Sequence, residues 1–346
     1  MVNKVLFFLK IKLKFFNSLN DIAWFTKIIG LYLLIIVSLM GLSVDRLFLT
    51  WAIIECNILL FIPLVTFGNS HYLPRILGLK YYFVQSLASI LLLVSIIMII
   101  QSNQKNFSEL VIIVSIGWKI GVPPFHLWLI NLIIGLDWLT FFIISTWQKI
   151  LPLYLIREIV RPIIDLFIIL SLVVRVGLRI EQSRVKKLII VSSIFTGAWI
   201  MRALVISKIA WTLVILTYGG ILFPVVIIFK NNKGVLNYSF LFSLNSFSEK
   251  LTIFIFLISL AGLPPLAGFY LKIIVIFFLL SYKNSVLPCL LILSSVAIIF
   301  MYATVTIFSL VSQITKRNFI ISQSYINFPF IFGISIIFFF PIILLG

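Results

Sequence analysis

Residues 117–128 read Gly117-Trp118-Lys119-Ile120-Gly121-Val122-Pro123-Pro124-Phe125-His126-Leu127-Trp128, a lysine inside an apolar run that ends at two adjacent prolines. An ionisable side chain at the centre of a bilayer costs about 2.5–3.5 kcal/mol on insertion scales, so it turns toward a bundle interior or a water-filled cavity. Two successive prolines remove two backbone donors and crowd the preceding turn, which predicts a helix break with free carbonyls here. Irregular backbone at membrane depth is tolerated beside a cavity or within protein, not against lipid. The stretch therefore predicts a transport path through a membrane.

The rest of the chain agrees with that setting. Its 346 residues are 62% hydrophobic and 10% charged, with a mean hydropathy of +1.25, which excludes an ordinary soluble domain and predicts an all-α polytopic membrane protein. A formal charge of +18 would point a soluble chain toward nucleic acid. Here the basic residues fall mostly in short loops between apolar runs, where they act as topology signals, and no nucleic-acid partner is expected. Cys56 and Cys289 lie in apolar segments and read as small buried hydrophobes. With His71 and His126 the only histidines and no glycine-rich nucleotide fingerprint, no cofactor and no metal is expected in this chain.

Cutting the apolar body at its polar loops predicts about eleven spans, each near the ~20 residues that cross a bilayer. They run 23–44, 46–66, 77–101, 109–134, 139–159, 163–179, 186–205, 208–230, 250–281, 286–312 and 327–345. Residues 1–22 form a basic segment with Lys4, Lys10, Lys12 and Lys14 ahead of the first acid, Asp21, which suits either a transit peptide or a membrane-surface segment. Alternate loops share a side, and the N-terminal side collects more lysine and arginine, including Arg75, Arg184, Lys186, Lys187, Lys230 and Lys233. The positive-inside rule sets the N-terminus on the side of protein synthesis, with the loops near 67–76, 180–186 and 231–249.

A second double proline stands in Ala261-Gly262-Leu263-Pro264-Pro265-Leu266-Ala267-Gly268-Phe269, within the ninth span. The two breaks are five spans apart, an odd number, so equivalent segments cross in opposite directions. That predicts two inverted five-helix repeats, 23–160 and 161–312, each with one broken helix, followed by a C-terminal helix within 313–346. Interrupted helices at matching positions of two halves point to a transport pathway.

Four ionisable residues lie well inside spans: Glu55, Lys119, Lys149 and Lys272. At about 3 kcal/mol each, exposure to lipid would cost roughly 12 kcal/mol, as much as the whole net stability of a typical domain, about 5–15 kcal/mol. The set must be paired or hydrated. Burial disfavours a lysine's charge and a nearby carboxylate favours it, so one acid with several lysines forms a candidate proton relay. On this reading Glu55 and Lys119 lie within a salt bridge, or one water, of each other. Each alone also reads as a buried ion pair or a snorkelling chain. His126 could pass protons or satisfy carbonyls freed by the break; Lys80 reads as interfacial, and Asp137 and Asp165 as loop or helix-end residues without chemistry.

Taken together, Trp51-Ala52-Ile53-Ile54-Glu55-Cys56-Asn57, Lys80-Tyr81-Tyr82-Phe83, Lys119 through Trp128, Thr146-Trp147-Gln148-Lys149 and Gly262 through Phe269 resemble the NADH dehydrogenase subunit 2 family, antiporter-like membrane subunits of respiratory complex I. The length resembles the short animal mitochondrial form. This resemblance implies that Glu55 and Lys119 form a functional ion pair, that Lys149 bridges toward a second half-channel, and that Lys272 sits at the other proton exit or access point. It also implies redox chemistry in other chains, neighbouring antiporter-like subunits and lipid as partners, and a mitochondrial inner membrane with the N-terminus in the matrix. Ser192-Ser193-Ile194 with Trp199 is similar to a family stretch, but Thr196 stands where a histidine is usual, which suggests water held by Ser193 and Thr196 instead. A stand-alone cation/proton antiporter, or a structural subunit with a vestigial path, are the other readings of the same residues.

Overall fold

The computed structural model describes residues 26–66, 72–101, 105–156, 165, 167–171, 185–231, 247–264, 266–281 and 286–314. The predicted N-terminal segment, the eleventh span and most of the sixth lie outside them. The described residues are helical, with no strand among them. In chain order they form α1 (Thr26–Leu42), α2 (Leu47–Thr66), α3 (Tyr72–Gln101), α4 (Lys105–Ile120), α5 (Leu127–Ile134), α6 (Trp138–Ser145), α7 (Ile150–Ile156), α8 (Val185–Ile206), α9 (Lys208–Asn231), α10 (Phe247–Ala261), α11 (Ala267–Ser281) and α12 (Val286–Ile314). Among them α2, α3, α8, α9 and α12 are each long and apolar enough to cross a membrane.

The outer helices show why such a chain needs lipid. On α3, Leu79, Phe83, Leu87, Ile90, Val94 and Ile97 are exposed, while Tyr81, Ala88, Leu92 and Ile96 are buried against the bundle. Both faces are apolar, so water is excluded from one by protein and from the other by hydrocarbon. Cys56 and Cys289 are also exposed on these helices, which corrects their reading as buried side chains. Hydroxyls inside the bundle are satisfied locally: Ser95 donates to the Leu92 carbonyl, Ser115 to Ile112 and Thr217 to Leu213, a solution that asks nothing of a dry surrounding.

Both double-proline stretches interrupt the helix, but glycine makes the stop. Gly121 and Gly262 have φ of 75° and 82°, the left-handed region that only glycine enters without cost. Each closes a Schellman turn. The Gly121 amide donates to Trp118 and the Val122 amide to Gly117, and in the same register the Gly262 amide donates to Ser259 and the Leu263 amide to Ile258. Four residues on from each glycine, the Phe125 amide donates to Val122 and the Leu266 amide to Leu263. The prolines come after the helix has ended and delay its restart, because they bring no donor for a new turn.

A third interruption escaped the sequence reading, which ran the fifth span unbroken through 139–159. Here α6 stops at Ser145, Trp147–Lys149 form a single 3-10 turn, and α7 starts at Ile150. Pro152, in the first turn of α7, has no amide to donate to the Gln148 carbonyl, which is the local signal the sequence reading passed over. Thr146 also turns its hydroxyl back onto the Phe142 carbonyl, 2.7 Å away, competing with the helix ladder.

α8 is the most enclosed of the long helices and packs against α5, α7, α9 and α11, so it touches the second half of both broken helices. Contacts at its ends orient the bundle. At one end Lys186 donates to the Leu136 carbonyl, and Trp138 stacks on Phe229 with ring centroids 4.7 Å apart. Toward the other end Arg202 Nη1 meets Asp165 Oδ1 at 2.7 Å. Residues 136–138, 186 and 229 therefore cluster at one end of the helix bundle. We expect an impermeant maleimide to label Asp137→Cys and Lys230→Cys from one side and Asp45→Cys, in the turn between α1 and α2, from the other. Labelling of Asp137→Cys and Lys230→Cys from opposite sides would reverse this arrangement.

Candidate functional site

Lys119 occupies the last turn of α4, directly before the Gly121 stop, and is 5% exposed. Its ammonium has no hydrogen-bond partner, and neither has Glu55 Oε2, buried on α2. The two are not in salt-bridge contact, which corrects the direct pair as one of the two expected geometries. Glu55 nevertheless acts electrostatically on both Lys119 and Tyr81. Carbonyls freed by the break are not left open, as the proline argument implied. Gln85 Nε2 donates to the Lys119 carbonyl at 3.1 Å, and Trp128 Nε1 to that of Trp118 at 3.2 Å. Side chains thus seal the end of α4, and the lysine is what remains unsatisfied.

A cavity of about 20 Å³ opens beside Lys119, lined by Asn57, Tyr81, Gln85, Gln148 and Lys149 among others. It is large enough for about one water, and its amides and ammonium groups supply the partners one needs. Lys149, 4% exposed, sits in the 3-10 turn and donates to the Ser193 carbonyl of α8 at 3.2 Å. One cavity therefore brings Lys119 and Lys149 together, and Lys149 in turn reaches the helix that contacts the second half.

A second cavity, about 40 Å³, adjoins α8 at Thr196 and Trp199; its wall is mostly apolar, with Thr196, Tyr218, Ser259 and Lys272 among its lining residues. Lys272 folds back across the bare face of Gly262 to donate to the Ala261 carbonyl, with its ammonium 5.6 Å from the centre of the Trp199 ring. A Cβ on Gly262 would lie 2.7 Å from that ammonium, so this glycine both ends α10 and clears the lysine's route. Thr196 lines this cavity and donates to the Ser193 carbonyl at 3.1 Å. His126 is buried at the start of α5 with Nδ1 unpartnered. It lines neither cavity. Lys80 is exposed on α3.

Two charged groups were misread from sequence. Lys186 was counted as a loop charge, yet it is 4% exposed, caps the Leu136 carbonyl beyond α5 and lies 4.8 Å from the centre of the Trp138 ring. Asp165 was read as a loop or helix-end residue without chemistry; it forms a largely buried ion pair with Arg202. Removing one partner of such a pair commonly costs about 3–5 kcal/mol, because the other charge stays behind in an apolar site. Position near a span end was the only sequence signal for either, and it reads equally as exposed.

Interrupted helices facing a shared central helix, with buried lysines at each interruption, define a polytopic antiporter-like membrane protein. The family model for the NADH:quinone oxidoreductase/Mrp antiporter transmembrane region matches residues 44–301, and the chain belongs to that family. It is 34% identical over 257 residues to NADH-ubiquinone oxidoreductase chain 2 of Anopheles gambiae, covering 72% of this chain and 75% of the relative. It is 29% identical over 277 residues to the chain of the same name in Locusta migratoria, covering 78% and 80%. Its fold is similar to a chain of respiratory complex I from Thermus thermophilus, with a TM-score of 0.70 at 20% identity, over 80% of this chain and 70% of that one. A chain of the Mrp complex from Dietzia is also similar, with a TM-score of 0.67 at 15% identity, over 81% and 59%.

Proposed function

We propose that this chain is a proton-translocating membrane subunit of a complex I type NADH:ubiquinone oxidoreductase in the mitochondrial inner membrane, with its N-terminus in the matrix and the redox groups carried by other chains. The observation that carries the reading is the order of the buried basic groups. Lys119 and Lys149 sit at helix interruptions and share one small cavity, and Lys272 reaches back to the interruption at Gly262 beside a second, mostly apolar cavity. Glu55 supplies the charge that biases Lys119, Lys149 bridges toward the second half, and Lys272 ends the relay on the far side. His126 is assigned at most an accessory role, beside the break. A proton moving along this line needs no resident cofactor. It needs groups that exchange protons and a little water, in a wall dry enough to prevent leakage.

The shared Schellman geometry at Gly121 and Gly262 supports two inverted repeats, 23–160 and 161–312, followed by a C-terminal helix, about eleven crossings in all. Exposed apolar helix faces suit lipid and neighbouring antiporter-like subunits. Similarity to an Mrp chain keeps open one other reading, a cation/proton antiporter that works without a redox partner. Affinity isolation of the tagged chain from mildly solubilised inner membranes separates the two. We expect flavin and iron–sulfur absorbance to co-purify. A chain that purifies free of both and exchanges sodium for protons by itself in liposomes would overturn the proposal.

A further inference from the structure

We infer that Tyr218 is a proton-relaying residue that joins the Lys149 side of the pathway to the Lys272 side. Tyr218 stands on α9, 5% exposed, and its hydroxyl makes no hydrogen bond of regular geometry, although three hydroxyls lie close to it. A buried phenol without a well-formed bond is costly, since buried tyrosine hydroxyls normally make one. Its surroundings give it a use. The hydroxyl is grouped with those of Ser145 on α6 and Ser193 and Thr196 on α8. Ser145 donates to the Phe142 carbonyl, Ser193 to Ile190 and Thr196 to Ser193, so each has spent its donor on its own helix and offers only lone pairs. Within this group Tyr218 holds the uncommitted O–H.

That position lies between the two lysines. On one side, the Ser193 carbonyl that accepts Lys149 Nζ also accepts Thr196 Oγ1. On the other, Tyr218 borders the 40 Å³ cavity that contains Lys272 and Ser259. That volume is large enough for a water, for which Tyr218, Ser259, Thr196 and Lys272 are the polar partners in a mostly apolar wall. A phenol both donates and accepts, so it can pass a proton without ionising. The step balances as follows: an N–H bond of the Lys149 ammonium breaks and its proton bonds, directly or through a water, to the phenolic oxygen. The phenol's own O–H proton leaves into the cavity and completes an N–H bond on a neutral Lys272. Lys149 ends neutral, Lys272 ends charged and Tyr218 is restored, needing only rotation about its C–O bond to act again.

This inference rests on the reading of the chain as a proton-translocating subunit, and the test separates the two. Tyr218→Phe removes one oxygen that makes no hydrogen bond of regular geometry, so the ring's packing is kept and normal assembly is expected. In sealed inner-membrane vesicles holding fully assembled complex, we expect Tyr218→Phe to lower proton flux through this chain at least tenfold, to the level of Lys149→Met. Loss of flux in Lys149→Met alone, with Tyr218→Phe at the wild-type proton yield per electron pair, would overturn the role of Tyr218 and leave the pump intact. Full yield in both variants would overturn the pump reading itself. Assembly of Tyr218→Phe below half the wild-type level would also count against the inference, because it would make the hydroxyl a structural group.

Discussion

Lys119→Ala is expected to assemble, to oxidise NADH in uncoupled membranes at the normal rate, and to move fewer protons per electron pair. Assembly should survive because the Lys119 side chain makes no hydrogen bond, while the backbone break around it is held by Gly121, Gln85 and Trp128. Proton movement should not survive, because a positioned acid–base group typically contributes about 10²–10⁴-fold to a transfer rate and no other lysine borders the first cavity apart from Lys149. Lys119→Arg sharpens the test. Arginine keeps the positive charge opposite Glu55 but does not release its proton, so it should fail as the alanine variant does. Glu55→Gln removes the carboxylate that offsets burial of the ammonium, and flux should fall with it. The measurement is proton yield in sealed vesicles, and an unchanged yield in Lys119→Ala, in fully assembled complex, would sink the mechanism.

The second large effect is structural and falls on Gly268. A Cβ built there would lie 1.9 Å from the Ser259 carbonyl oxygen and 3.1 Å from its carbon. The obstacle is backbone, which cannot swing aside as a side chain does. α11 would have to draw away from α10, and overpacking of this kind costs about 1–3 kcal/mol when the neighbours can yield and more when they cannot. Lys272, one turn along α11, would be pulled from the Ala261 carbonyl and from Trp199. We therefore expect Gly268→Ala to reduce assembled complex severely on native gels and to abolish pumping in what remains. Gly197→Ala provides the contrast. A Cβ at Gly197 meets nothing within 4 Å, so that variant should assemble normally and gain a few tenths to about 1 kcal/mol of helix stability. Equal assembly of the two variants would show that the close approach of α10 and α11 at Gly268 is unimportant.

Much of this was legible in the sequence. The bilayer requires every backbone group to be paired within its own segment, so long apolar runs have one outcome, and the class of protein follows from composition. The two interruptions near 121 and 262 follow from local backbone preferences of glycine and proline, which neighbours hardly alter. That Lys119, Lys149 and Lys272 turn inward follows from the cost of the alternative. Tertiary structure decided who meets whom. The spans are apolar around their whole circumference, so no stripe indicates which face of a helix turns toward which neighbour. Contacts between helices therefore stayed hidden: Lys149 on the Ser193 carbonyl, Lys186 on Leu136, Arg202 with Asp165, and Lys119 near Glu55 but not touching it. The 3-10 turn at Lys149 had a local signal that was passed over: Pro152 cannot donate to the Gln148 carbonyl, and Thr146 turns its hydroxyl onto the Phe142 carbonyl.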